Sequence, residues 1–224
     1  MSTRSFVETL PEQSPQLILA STSVYRMGLL ERLTSHFKQI SPDVIEVQKP
    51  GEAVEAMALR LALEKAKAVA SLHPGALVIG SDQAATLDGF EAIGKPGHRE
   101  AAMEQLRRAS GRTLHFFTAL ALVRGVAAER GDRQLTAFER TAVVGTTVKF
   151  RELSDTLIER YFDREPAYDC AGSAKCEGLG IVLMESIQSE DPTALIGLPL
   201  IRLSQFLADA DYDIFSADSA ADCA

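Results

Sequence analysis

Four apolar residues, Leu17-Ile-Leu-Ala20, run straight into three consecutive hydroxyl residues, Ser21-Thr-Ser23, and helical spacing begins near Val24. An apolar run of this kind reads as a buried strand, and a strand feeding directly into a helix points to an α/β arrangement. Unpaired backbone N–H groups, the positive end of the helix dipole and hydroxyl donors converge at the turn, which suits an anion. Arg26, one turn into the helix, adds a planar cation matched to phosphate oxygens. The same residues would equally make an ordinary strand–helix turn with a Ser or Thr cap. The loop contains no glycine, which rules out a Walker loop and a dinucleotide fingerprint.

A chain of 224 residues, 46% hydrophobic, can bury a full core as one large domain or two joined lobes. Its net charge of −8 argues against a nucleic-acid partner, so an anionic substrate would have to be drawn by cations grouped in a cleft. Cys170, Cys176 and Cys223 form no CxxC pair, and the four histidines are scattered. A disulfide framework and a zinc ribbon are thereby disfavoured, and a reducing cytoplasm fits. Residues 1–16 lack the pattern of a signal peptide and no apolar run would span a bilayer, so no membrane partner is expected.

Residues 1–16, with Pro11 and Pro15, read as a mobile leader, 17–210 as the globular domain and 211–224 as a fraying tail rich in Asp, Ala and Ser. After a helix over Tyr25–Leu33, a strand is expected around Phe37–Ile40. A long helix follows from Glu52 to about Leu72, where Val54, Met57, Leu61, Ala62 and Val69 recur at helical spacing. Ala76–Ile79 reads as an apolar strand ending in Gly80-Ser-Asp-Gln83, with a second short strand, Ala84–Leu87, an Asp88-Gly89 turn and a return over Glu91–Ile93. A helix over Arg99–Ala109 precedes two long strands, about Thr113–Arg124 and Gln134–Phe150, paired antiparallel. Ser154 or Asp155 caps a helix reaching about Arg164. Tyr168–Gly180 is loop, Ile181–Ser186 a strand, and Thr193–Leu207 a helix punctuated by Gly197 and Pro199. The mixture predicts an α/β fold with a mixed, elongated sheet.

Asp82 stands at the carboxyl end of its expected strand, where open α/β sheets place ligand and catalytic groups. A carboxylate there could hold a divalent metal or accept a proton from water, although an Asx-turn is its ordinary role. Gly80 permits close backbone approach, and Ser81 can bond a ligand or the turn. Lys95, in Gly94-Lys-Pro96, is either a rigidly presented phosphate ligand or a solvated charge. Lys65 is a second such cation, or a surface charge beside the Arg60–Glu64 i,i+4 pair. The stretch Ala171–Gly180, with Lys175 and Glu177, reads by composition as structural, although its glycines would let backbone approach a flat ligand. Asp191-Pro192 and Ile196-Gly-Leu-Pro199 read as helix punctuation and packing, with no chemistry of their own.

In order and spacing, Leu19-Ala-Ser-Thr-Ser-Val-Tyr-Arg26, Leu63-Glu-Lys-Ala66, Gly80-Ser-Asp-Gln83, Gly94-Lys-Pro96, the loop at 178–180 and Gly197-Leu-Pro-Leu200 resemble the Maf family of nucleoside triphosphate pyrophosphatases. The resemblance runs from about Leu17 to Leu207. It implies a Maf/ITPase-like α/β fold, two lobes around a central cleft with an elongated mixed sheet flanked by helices. It also implies a divalent cation (Mg, Mn or Co), hydrolysis of a nucleoside triphosphate to monophosphate and pyrophosphate, and a homodimer. Ser21, Ser23, Arg26, Lys65 and Lys95 would hold the triphosphate, with Arg26 and Lys95 offsetting charge on the leaving group. Asp82 would be the proton acceptor and, with Glu46, a metal ligand; Ile45 stands where relatives usually carry an acid. Tyr25, Gln83 and Glu177 match the positions that separate base preferences, in the aromatic–Gln–Glu pattern of the branch acting on 7-methyl-GTP. That base is cationic, so an aromatic face can stack on it, and a carboxylate can accept from its N1–H and N2–H. Val24 and Tyr25 stand where that branch usually has Pro and Trp. The expectation is a cytoplasmic, metal-dependent pyrophosphatase acting on 7-methyl-GTP. The alternatives are dTTP, UTP or another modified nucleotide, or a non-catalytic nucleotide-binding regulator of cell division.

Overall fold

The computed structural model describes residues 15–125 and 137–217. Six strands form one mixed sheet in the order β2-β1-β3-β4-β5-β6. β1 (Leu17–Ala20), β2 (Phe37–Ile40) and β3 (Leu77–Thr86) are parallel, joined by α1 (Val24–Leu30) and α2 (Val54–Ala70) as the crossovers that parallel pairing demands. β4 (Thr113–Arg124), β5 (Phe138–Phe150) and β6 (Met184–Ser189) extend the sheet antiparallel. α3 (Arg99–Ala109) and α4 (Asp155–Phe162) flank its far end, and α5 (Leu200–Asp209) and α6 (Ile214–Ala217) close the chain. The fold is α/β, as expected. Among the described residues no helix is long and apolar enough to cross a membrane.

The lengths of the strands create the cleft. β1 pairs with β3 only over Leu77–Gly80, so from Ser81 onward that edge of β3 is covered by a single bridge, Ala85 to Ile93. The opposite edge stays paired with β4 along the whole strand. Around the parallel strands, α2 lays Val54, Ala58, Leu61 and Ala62 on one face with Ile18 and Val78. α1 and α5 cover the other face, where Leu30, Leu203 and Leu207 meet Leu19 and Ile79. Beyond the uncovered edge, Leu106, Ile158 and Tyr161 from α3 and α4 pack on Phe116, Val148 and Phe150 as a second core.

Three expectations need correction. Ala76–Ile79 and Ala84–Leu87 are one continuous strand, because β4 supplies ladder partners straight through Gly80-Ser-Asp-Gln83; Asp82 therefore lies mid-strand rather than at a strand end. Leu179–Leu183 is a 3-10 turn and the last strand starts at Met184, later than Ile181. Thr193–Leu207 is not one helix: a 3-10 turn over Ala194–Ile196 ends at Gly197 with φ +127°, and α5 begins at Leu200. Residues 1–14 of the leader, 134–136 of the fifth strand, 218–224 of the tail and Cys223 lie outside the described residues. Within the expected tail, Tyr212 is buried in the core under α5 and Ile214 packs against it.

Candidate active site

Three elements bring side chains to the uncovered edge of β3. The turn after β1 is capped by its own hydroxyls. Ser23 Oγ accepts from the Arg26 N–H at 3.4 Å and Ser21 Oγ accepts from the Ser23 N–H at 3.1 Å. The Arg26 side chain folds back over this turn, donating from Nη1 to Ser21 Oγ at 3.4 Å and from Nε to the Gly197 carbonyl at 2.8 Å. Burial lowers its pKa, while the nearby carboxylates of Asp82 and Glu46 act in the opposite direction.

α2 can reach β3 because Gly80 has no side chain. A Cβ there would stand 2.9 Å from Ala66 Cβ and collide with the Ala62 carbonyl. The close backbone approach expected at Gly80 is thus made by a helix. It brings Lys65, 4% exposed, onto Asp82, 6% exposed. Lys65 Nζ donates to Asp82 Oδ1 at 2.7 Å and pairs with Glu46 Oε1 at 2.7 Å. Lys65 is therefore a buried cation of the cleft and not a surface charge; the surface pair on this helix is Arg60–Glu64. Burial pushes the Asp82 carboxyl above its ordinary value, Lys65 and Arg26 pull it back, and Glu46 adds repulsion.

Side chains alternate along a strand, so Asp82 faces α2 while Ser81 and Gln83 face the opposite side. There they meet the turn between β6 and α5. Ser81 Oγ donates to the Gly197 carbonyl at 2.9 Å. Gln83 Nε2 lies 3.0 Å from Thr118 Oγ1, 3.0 Å from the Ala194 carbonyl and 2.9 Å from the Leu195 carbonyl. Carbonyls only accept, so the amide nitrogen must face them and Oε1 is left as an acceptor turned away from the turn. Asp191 braces this turn, accepting from the Thr193 hydroxyl at 2.7 Å and the Ile201 N–H at 2.7 Å. The Ile196–Pro199 stretch, expected to carry only packing, supplies the carbonyl that Arg26 and Ser81 share.

Tyr25 lies at the mouth. Its phenol donates to Asp169 Oδ2 at 2.8 Å, and Lys175 Nζ stands 5.2 Å from the ring centre. Glu177 is exposed; its carboxylate accepts from the Cys176 thiol at 3.5 Å and makes no hydrogen bond with Tyr25 or Gln83. Lys95 is exposed and has no ion-pair partner among the described residues, although its turn is pinned by Gln105 Nε2 donating to the Gly94 carbonyl at 2.9 Å. The structure thus brings Ser21, Ser23, Arg26, Lys65, Asp82 and Glu46 together and leaves Lys95 and Glu177 unlinked to them. Among the described residues no group of three or more His, Cys, Asp or Glu could hold a metal alone. Local sequence carries little signal for Thr118, Asp169 and the Gly197 carbonyl. Only the Gly-Leu-Pro motif hinted at the last, since a backbone carbonyl leaves no residue signature.

The family model described as Maf-like protein matches residues 16–210. A Bordetella pertussis protein named 7-methyl-GTP pyrophosphatase is 54% identical, the alignment covering 88% of this chain and 94% of that protein. Proteins of the same name from Xanthomonas axonopodis pv. citri and Cupriavidus pinatubonensis are 53% and 50% identical, covering 89% and 91% of this chain and 99% and 97% of theirs. Among solved structures, the Staphylococcus aureus Ham1 protein aligns with 62% of this chain and 72% of that chain, at 20% identity and a TM-score of 0.38. On the family model and these half-identical relatives of nearly full length, the chain belongs to the Maf family.

Proposed function

We propose that this chain is a nucleoside triphosphate pyrophosphatase that hydrolyses 7-methyl-GTP to 7-methyl-GMP and pyrophosphate. The observation that carries the reaction is the buried meeting of Lys65 and Asp82 at 2.7 Å beside Arg26 and the Ser21–Ser23 turn. Water attacks the α-phosphorus, Asp82 takes its proton, and the bond to the bridging oxygen breaks to release pyrophosphate. Lys65 orients the Asp82 carboxylate and favours its ionised form, which a proton acceptor requires. Arg26, Ser21 and Ser23 grip phosphate oxygens, and Arg26 and Lys65 offset the charge that builds on the leaving group. Lys95 joins them from its exposed turn once the triphosphate is bound.

Asp82 and Glu46 are two carboxylates on one side of the cleft. A hard divalent cation takes one or two carboxylates and completes its shell with phosphate oxygens and water, so the pair fits a metal that arrives with substrate. Such an ion, when bound, polarises phosphoryl oxygens. Glu46 is the loop acid that reaches the site, and Ile45 beside it is exposed to solvent.

For the base, the names of the relatives and the pattern Tyr25, Gln83, Glu177 support the methylated guanine. Gln83 Oε1 and the Glu177 carboxylate are acceptors, matched to a base edge rich in N–H donors. Pyrophosphate release measured with 7-methyl-GTP, GTP, dTTP and UTP tests the whole reading, with Asp82→Asn as control. The expected result is strongest turnover of 7-methyl-GTP and loss of it in Asp82→Asn. A preference for dTTP or UTP overturns the substrate assignment, and wild-type activity in Asp82→Asn overturns the proton acceptor. Binding across the panel with no turnover would favour the regulator.

A further inference from the structure

One charged group at the mouth of the cleft takes no part in the phosphate chemistry. Asp169 accepts from the Tyr25 phenol through Oδ2 at 2.8 Å and pairs with Lys175 Nζ through Oδ1 at 3.1 Å. Lys175 Nζ in turn stands 5.2 Å from the centre of the Tyr25 ring. Each carboxylate oxygen serves one partner, and the two partners touch each other. The triangle joins segments 144 positions apart in the chain.

The lysine is placed independently of the tyrosine. Its backbone N–H donates to the buried Tyr161 hydroxyl at 3.2 Å, and Gly180 packs so tightly on it that a Cβ would stand 2.6 Å from the Lys175 N and O atoms. The Lys175 side chain is 18% exposed, under an Asp169 side chain that is 55% exposed. A tyrosine ring pinned at its hydroxyl with an ammonium over one face has a fixed plane and one face left for a flat ligand. That arrangement carries an electrostatic cost for a cationic ligand. A methylated guanine on the free face would lie within roughly one Debye length, about 8–10 Å, of the Lys175 charge. Asp169 sits against that charge and cancels it.

We propose that Asp169 is a positioning and specificity-determining residue of the base site, locking the Tyr25 ring against Lys175 and neutralising that lysine so that a cationic base can stack. The proposal rests on the reading of Tyr25 as the base-stacking surface. It assigns the carboxylate two separable jobs: a hydrogen-bond acceptor for the phenol, and a negative charge for the lysine.

The test is steady-state kinetics with 7-methyl-GTP and GTP, alongside inhibition by inorganic tripolyphosphate, which has no base. In Asp169→Ala the KM for 7-methyl-GTP rises about tenfold while kcat changes by no more than about twofold. The Ki for tripolyphosphate stays at the wild-type value, and the preference for methylated over unmethylated guanine falls. Asp169→Ala also raises the KM for GTP, by less; Asp169→Asn keeps the acceptor without the charge and returns that KM to the wild-type value but not the preference. Adding Lys175→Met to Asp169→Ala restores the preference, since the uncancelled charge is gone. A tripolyphosphate Ki that rises together with the KM would make Asp169 a merely structural tie and overturn the proposal. So would a raised KM with the preference intact. If Tyr25→Ala leaves every nucleotide KM unchanged, the base-site reading fails and the proposal falls with it. A base-dependent Tyr25→Ala beside a silent Asp169→Ala refutes the proposal alone.

Discussion

Arg60 and Lys65 stand one and a half turns apart on α2, and each gathers two carboxylates, with opposite outcomes. Arg60 clasps Glu52 through two parallel bonds of 2.6 Å and 2.7 Å and reaches Glu64 at 3.1 Å and the Val47 carbonyl at 3.0 Å. Under that fork, helped by the Lys49 N–H, the Glu52 carboxyl falls to about 2. Lys65 meets Asp82 and Glu46 at 2.7 Å each, yet Asp82 ends above its ordinary value because burial outweighs the attraction. The difference lies in solvation and geometry. A planar fork in partly solvated surroundings holds a carboxylate ionised and fixed, which braces a loop. A point charge in a dry cleft leaves its carboxylate closer to the range where a proton can be taken and returned.

The largest effect expected along this comparison is Asp82→Asn. Pyrophosphate release should fall by ~10²–10⁴-fold, the usual share of a general base, while the far-UV spectrum stays native. Full activity in that variant would reduce the buried pair to a structural contact. Lys65→Met comes next. Removing one partner strands the buried Asp82 carboxylate, so urea denaturation at pH 7 should show a loss of about 2–4 kcal/mol, less than for a fully buried triad because the Glu46 side chain is 55% exposed.

The pH profile gives a smaller, sharper reading. The proposed role of Asp82 as proton acceptor requires it deprotonated, and its carboxyl is raised, so kcat/KM should fall on acidification at a pH above the ordinary ~3.9 of aspartate. Weakening the attraction should move that limb further up, and Lys65→Gln provides the check. A limb that stays put would mean that another group sets it. Arg60→Met should have the least effect on catalysis, within about twofold. Its signature is in acid. A carboxyl lowered to about 2 from 4.5 contributes stability above the upper value and loses it as the pH falls toward the lower. Urea midpoints at pH 7 and pH 3 should therefore lie closer together in Arg60→Met than in the parent.

Much of the frame was legible in the sequence because its causes are local. Leu17–Ala20, Phe37–Ile40, Arg99–Ala109 and Thr113–Arg124 form the expected elements to the residue, and Ser154 caps its helix by accepting from the Leu157 N–H at 3.2 Å. Gly80-Ser-Asp-Gln83 reads as a strand end for an equally local reason. These are turn-forming residues, and only pairing of Gly80–Gln83 with Thr118–Ala121 on β4 draws them into a strand. Thr193–Leu207 has helical apolar spacing throughout, and the break at Gly197 follows from Thr193 and Asp191 capturing the backbone there.

What the sequence determined by itself is the inventory: an α/β chain, a hydroxyl-rich turn with an arginine, and the acids and cations proposed for a phosphate site. Those follow from periodicity and residue chemistry, which neighbours in the chain share. The tertiary structure alone decided which of them meet. It buried Lys65 against Asp82 through the missing side chain of Gly80, turned Gln83 to the opposite face of β3, and tied Tyr25 to Asp169. Contacts between distant segments depend on how helices and strands pack, and no local pattern of residues encodes that distance.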